Sequence, residues 1–256
     1  MDFGDPWATE TKLVSKAVVR MTLDDALHYS EAKRRAIIEG YPAHELEART
    51  RGIPSLGSGR VFPITEEAIS VDPPAVGRGW SLIGGLDFGW DHPFAAVKVA
   101  HDRDADCVYV LATYRCREAT PLIHAASLRP WGNIPWAWPH DGLAHDKGSG
   151  RQLAEQYREQ KLSLLTDFAR FDDGTYGLEA GVMAMLARMQ TGRLKVARHL
   201  SEWFEEFRLY HRKDGVIVPE RDDLLSATRY AVMSLRYAEA EASDASWSDA
   251  PAWGVA

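Results

Sequence analysis

Cysteine is scarce. Two thiols, Cys107 and Cys116, occur in 256 residues. They form no CxxC pair and no second Cys/His pair has ligand spacing, which argues against a disulfide framework or a zinc site and for two reduced thiols. No run of about 18 apolar residues exists, so no membrane span is expected. The opening MDFGDPWATE has neither a basic start nor an apolar stretch and does not read as a secretory signal. Positive charge is also short: 30 Lys and Arg against 37 Asp and Glu give a net charge of −7, with no overall basic surplus for nucleic acid. A GxxxxGK[ST] phosphate loop is missing; the GSGR ending at Arg60 lacks the Lys-Ser/Thr close, so ATP hydrolysis by this chain is not expected. No internal repeat is visible.

What is present suits a globular domain: 45% apolar and 26% charged residues, enough for a sizeable core. Ser30 to Gly40 reads as a short helix with Ser30 as N-cap and Gly40 as stop. From Arg51 to Gly79 the chain is rich in Gly and Pro and reads as an arm or linker. The compact part is expected from Trp80. SLIGGLDF, FAAVKVAHD and DCVYVLATYRC are three successive strands of an antiparallel meander. Then helix and strand alternate: Pro121–Arg129 helical, IPWAWP a short strand, Gly150–Gln160 helical, KLSLLTD strand-like, Leu178–Gln190 a strong helix whose Met183, Met185 and Met189 read as core filling. Glu202–Leu209 is a further helix leading into a hairpin turned by Lys213-Asp214-Gly215. A last helix is expected over Asp222–Ala240. This order gives an α/β domain with a mixed sheet.

Three places put a carboxylate at the end of an element. Asp87 ends the first strand, in GGLDFGWDHPF. Asp141 lies just beyond IPWAWP. Asp222 and Asp223 open the last helix. If the first and fourth strands are neighbours, Asp87 and Asp141 emerge at one sheet edge, where two carboxylates repel and raise a pKa. A divalent cation removes that conflict. Mg²⁺ and Mn²⁺ take carboxylate oxygens and bridge phosphates, and two ions roughly 3.5–4 Å apart serve phosphodiester hydrolysis. A helix acid would complete the cage. Singly, each acid has a plainer role: Asp87 and Asp141 as turn formers, Asp222 and Asp223 as helix-start residues.

In combination these strings resemble the nuclease domain of tailed-bacteriophage terminase large subunits, in the ribonuclease-H-like superfamily. GLDFGWDHPFAAV resembles its first nuclease motif and WPHDGLAHDKGSG its second. LEAGVMAMLARMQTGRLKV, WFEEFRLYHRKDG and DDLLSATRYAVMSLR resemble downstream blocks. ARTRGIPSLGSGRVFPI is similar to the stretch joining the packaging ATPase to the nuclease. The resemblance runs from about Leu23 to Arg236. It implies a ribonuclease-H-like mixed sheet flanked by helices, with residues 1–79 an arm following an ATPase domain absent here, 80–238 the nuclease domain and 239–256 a disordered tail. It further implies a metal-dependent endonuclease on double-stranded DNA concatemers, with Asp87, Asp141 and one of Asp222 and Asp223 as catalytic metal ligands for Mg²⁺ or Mn²⁺, two ions in all. Some relatives carry another acid where this chain has Ser226, which leaves ion number and the choice within the Asp pair open. Implied partners are the packaging ATPase domain, the small terminase and the portal, in the cytoplasm of the bacterial host and away from membrane.

Arg193, Lys195, Arg198, Arg208, Arg212 and Lys213 cluster in sequence, and the hairpin tip Tyr210-His211-Arg212-Lys213 is the most basic point. Arg208, His211, Arg212, Lys213 and, with Lys147, the loop after Asp141 are the candidates for lying along a phosphate backbone. The plainer account is a solvated, salt-bridged face. His140 and His145 flank Asp141, and Glu179 opens an apolar helix; all three are candidates for positioning water or a carboxylate, against ordinary roles as loop histidines and a helix-start acid. Two other functions remain: a Holliday-junction-resolvase-like nuclease, and a catalytically weak module docking on DNA or portal.

Overall fold

The computed structural model describes residues 22–26, 28–40, 50, 59–77, 79–145 and 150–240. Lys147 and residues 241–256 lie outside them. The contacts divide the chain into Met1–Pro54 and Ser55–Ala256. In the first unit, helix α1 (Glu31–Glu39) is capped by the Ser30 hydroxyl, which accepts from the Lys33 amide at 3.3 Å, and Gly40 ends it.

The second unit is built on one mixed sheet. After helix α2 (Glu66–Ile69) come β1 (Ser70–Val71), β2 (Ser81–Asp87), β3 (Phe94–Asp102) and β4 (Cys107–Cys116). Strands β2, β3 and β4 form the expected antiparallel meander. Helix α3 (Pro121–Leu128) leads to β5 (Trp136–Ala137), which runs parallel to β2. Helices α4 (Leu153–Glu159) and α5 (Leu178–Gln190) precede β6 (Leu194–Ala197), which lies parallel to both β4 and β1. Helix α6 (Ser201–Leu209) continues into the hairpin β7 (Arg212–Lys213) and β8 (Val216–Ile217), and α7 (Asp223–Met233) closes the layer. The order across the sheet is β1-β6-β4-β3-β2-β5, with a two-residue β9 (Glu239–Ala240) added antiparallel to β2.

Both sheet faces are buried, so the strands carry apolar residues at odd and even positions alike. Ile83, Val97, Val108 and Val110 face a core shared with Val182, Met185, Trp203, Phe207 and Leu224. Leu82, Leu86, Phe94 and Ala96 face a second core with Leu128, Trp136, Trp138 and Tyr157. Burying each such large side chain contributes about 1.5–3 kcal/mol. The Gly84-Gly85 pair in β2 serves one face with each residue. A Cβ on Gly84 would stand 2.1 Å from the Trp136 ring, and one on Gly85 would stand 1.9 Å from the Ala227 carbonyl oxygen of α7. Backbone of β2 and α7 therefore meets with no side chain between.

Several elements differ from the sequence reading. The arm is not all linker: Val61, Phe62 and Ile69 are core residues, and β1 extends the sheet. KLSLLTD makes no strand. Only Leu164 bridges in parallel to Trp136, because Lys161 turns the chain with φ 66°. IPWAWP shortens to two strand residues between Pro135 and Pro139, which cannot donate to a ladder. Met185 and Met189 are buried but Met183 is 54% exposed on the outer face of α5. The last helix stops at Met233, and Glu239–Ala240 join the sheet edge instead. Among the described residues, no helix is long and apolar enough to cross a membrane.

Candidate active site

Strands β2 and β5 are parallel neighbours, in register Gly84 to Trp136 and Gly85 to Ala137. Their C-terminal ends therefore open on one sheet edge. Asp87 is the last residue of β2. Asp141 sits in a 3-10 turn, His140–Leu143, just past β5. Helix α7 crosses the sheet with its N-terminus at the same edge, which brings in Asp222, the N-cap residue, and Asp223, the first residue of the helix. Asp222 does not cap with its side chain. Its Oδ2 instead accepts from the Ser226 hydroxyl at 3.4 Å.

The four carboxylates line one cleft of about 980 Å³, with His92, Arg115, Glu206 and Arg229. One oxygen each of Asp87 and Asp223 and one ring nitrogen of His92 all lie within 4.8 Å of one another. Burial, then the charges of Asp141, Asp223 and Asp222, hold the Asp87 carboxyl well above the usual carboxylate range; Arg229 offsets them only in part. Asp222 is raised by burial and by Asp223. Asp141 keeps an exposed face, yet partial withdrawal from water in the cleft raises it as well. A cluster of acids that disfavours its own ionisation is matched to cations, and a carboxylate set with one imidazole is a donor set for divalent ions.

The α7 end of the site is fastened by a residue the sequence reading passed over. Glu206 is 1% exposed. Its Oε2 accepts from the Leu224 and Leu225 amides at 2.8 and 3.1 Å, and its Oε1 accepts from Arg115 Nη1 at 2.9 Å. A side chain of α6 thus satisfies the first free amides of α7 and ties them to β4 through Arg115. Burial is the largest influence on Glu206, and it pushes the carboxyl up to about 8. The available signal was an acid on the apolar face of α6, among Trp203, Phe204 and Phe207. His92 was also missed; a lone histidine in a turn carries no signal of its own.

The remaining candidates are dispersed. Arg208 pairs with Glu66 at 2.6 Å. Arg212 and Glu179 form a two-pronged pair at 2.7 and 2.6 Å, so Glu179 faces the hairpin and is not among the cleft-lining residues. His211 Nδ1 donates to the Leu209 carbonyl at 2.9 Å. Lys213 is exposed on β7. His140 stacks on Tyr176, with ring centroids 5.6 Å apart, and meets the Phe168 edge. His145 is exposed and bridges Gln152 through its backbone.

Comparison with known proteins gives two family matches. Residues 84–235 match the terminase RNaseH-like domain model, and residues 5–69 match the N-terminal model of T4likevirus-type large terminase subunits. The chain is 45% identical over 226 residues to the large terminase subunit of Salmonella phage P22, covering 88% of this chain and 45% of that protein. Identity is also 45% over 221 residues to the large terminase subunit of Enterobacteria phage LP7, covering 86% of this chain and 46% of that protein. The chain thus spans about half the length of the curated relatives it matches. The solved nuclease domain of P22 large terminase superposes with a TM-score of 0.68 at 42% identity, over 72% of this chain and 96% of that one. The solved large terminase of a thermophilic bacteriophage shares the fold, with a TM-score of 0.54 at 15% identity over 84% of this chain and 55% of that one.

Proposed function

The chain belongs to the terminase RNaseH-like domain family, and we propose that it hydrolyses phosphodiester bonds of double-stranded DNA concatemers during phage genome packaging. The observation that carries this reading is the set of four carboxylates around Asp87 at the edge of β2, β5 and α7, each of Asp87, Asp141 and Asp222 raised in pKa by its surroundings. Asp87, Asp141, Asp222 and Asp223 would hold Mg²⁺ or Mn²⁺, two ions in the full site. Such ions, when bound, supply a Lewis acid for the phosphoryl oxygen and lower the pKa of an attacking water.

The chain's own residues do the positioning. The charges of Asp141, Asp223 and Asp222 all bear on Asp87, so it is the group placed to share whatever they bind. Glu206 and Arg115 fix the α7 N-terminus, and with it Asp222 and Asp223, against β4. Arg229 brings a guanidinium charge that acts on both Asp87 and Asp222. On the DNA side, Lys213 is exposed at the hairpin tip, where it can meet phosphate. Arg208, His211, Arg212 and Lys147 extend the same role, with Arg208 and Arg212 exchanging Glu66 and Glu179 for phosphate oxygens. In the assembled motor the partners would be the packaging ATPase, the small terminase and the portal, in the host cytoplasm. Plasmid cleavage with Mn²⁺, Mg²⁺ or EDTA, comparing the wild type with Asp87→Ala, tests the reading. Metal-dependent linearisation, lost in the variant, is the expected result. A folded wild-type protein that fails to cut with either metal overturns it.

A further inference from the structure

We propose that His92 is itself a metal ligand, forming with Asp87 and Asp223 a mixed nitrogen–oxygen position in the site; this rests on the nuclease reading above. The His92 side chain is 59% exposed, yet its Nδ1 is turned inward, 3.2 Å from Asp223 Oδ1. One ring nitrogen and one oxygen from each acid fall within 4.8 Å of one another, a separation that small shifts close around a single ion. The loop between β2 and β3 is built for this approach. A Cβ on Gly89 would stand 2.5 Å from the His92 carbonyl oxygen and 2.6 Å from its Nδ1, so the chain folds back on itself only because Gly89 has none. Pro93 follows directly and is buried, which disfavours helical backbone at His92.

The ring's neighbours also fit. Nδ1 lies 3.3 Å from the Pro93 carbonyl oxygen as well as near Asp223. Both are acceptors, so without an ion Nδ1 carries the ring proton and donates it. With an ion present, the ring takes the other tautomer, its proton moved to Nε2, and turns the Nδ1 lone pair to the metal, the form in which histidine ligates. Asp141 and Asp222, which line the same cleft, remain for an all-oxygen position. The two positions then differ in chemistry. Carboxylate and water suit Mg²⁺ and Mn²⁺ alike, whereas hard Mg²⁺ keeps to oxygen donors; the one imidazole nitrogen therefore tips the His92 position toward Mn²⁺, a transition ion that also accepts nitrogen.

Electron spin-echo measurements on the Mn²⁺-loaded, DNA-free protein test this directly, because a ligating imidazole imprints ¹⁴N modulation on the Mn²⁺ signal. We expect that modulation in the wild type and its loss in both His92→Ala and His92→Gln, with folding checked by circular dichroism. Calorimetric Mn²⁺ affinity should fall at least about 10-fold in both variants, the loss found even for partners one step removed from a metal, while Mg²⁺ affinity changes far less. Mn²⁺ bound to the wild type without ¹⁴N modulation, or modulation persisting in both variants, overturns His92 ligation and leaves the carboxylate site standing. A wild type that binds no Mn²⁺ overturns this inference, while the nuclease reading stands or falls separately on the cleavage assay with either metal. Loss of Mn²⁺ binding in Asp87→Ala ties the signal to this cleft; Mn²⁺ binding and modulation unchanged in that variant place it elsewhere and overturn the assignment.

Discussion

Asp87→Asn should abolish cleavage and at the same time make the metal-free protein more stable. The oxygens of Asp87 and Asp223 lie within 4.8 Å of each other, and two unit charges at that separation repel by about 3.5 kcal/mol at an effective dielectric near 20. Protonation of Asp87 relieves part of this, so the expected gain is about 1–3 kcal/mol, which for a domain of this size is roughly 3–10 °C in melting temperature. The sign follows from the raised folded-state pKa of Asp87. The fold favours the protonated form, so this group's contribution is fully present below the ordinary carboxylate value of 3.8 and is lost as the pH rises through the raised value. Asparagine cannot ionise. The two proteins should therefore match in acid and diverge toward neutrality. Thermal unfolding by circular dichroism in EDTA, from pH 4 to 8, reads this out. Mn²⁺ at about 100 times its dissociation constant should add about 2.7 kcal/mol to the wild type and less to the variant, closing or reversing the gap. An Asn variant no more stable than the wild type in EDTA at neutral pH refutes the like-charge account of the site.

Two further perturbations test the supports. Glu206→Ala leaves the Leu224 and Leu225 amides without their acceptor and Arg115 with Glu202 alone; stranding buried donors in this way costs about 1–3 kcal/mol, measurable by urea denaturation, and metal affinity should fall with the displaced α7 N-terminus. His124 is held neutral by burial, its pKa lowered to about 4 from 6.5; its ring stacks on Phe94, with the Tyr157 ring centroid 6.2 Å away. Its contribution is present above about pH 6.5 and is lost as the pH falls toward 4, by about 3 kcal/mol in all. His124→Phe should flatten that part of the stability profile, and an unchanged slope between pH 6.5 and 4 would contradict the assignment.

The meander could be read before the structure because its signals are local. FAAVKVAHD and DCVYVLATYRC became β3 and β4, apolar on both faces and bounded by polar turns. The order of the acidic elements could be read for the same reason, since each closes or opens a recognisable segment. The losses were non-local. Strand β1 is two residues long and exists only through pairing with β6, more than 120 positions later. Leu164 makes a single bridge because a left-handed Lys161 turns the chain first. The partners of Arg208 and Arg212 come from 142 and 33 residues away, so a cluster that reads as basic in sequence is largely neutralised in space. Glu206 and His92 take their meaning from α7, which no pattern around either residue discloses.

The Gly85 contact also orders events in time. The acids at the sheet edge come from residues 87, 141 and 222–223, and the last pair arrives only when α7 settles its backbone against β2 at Ala227. During synthesis the chain emerges from its N-terminus, so Asp87 and Asp141 spend that interval without the helix that completes them. The four-carboxylate cluster therefore forms last, only once α7 has been made and its backbone has docked on β2 at Gly85.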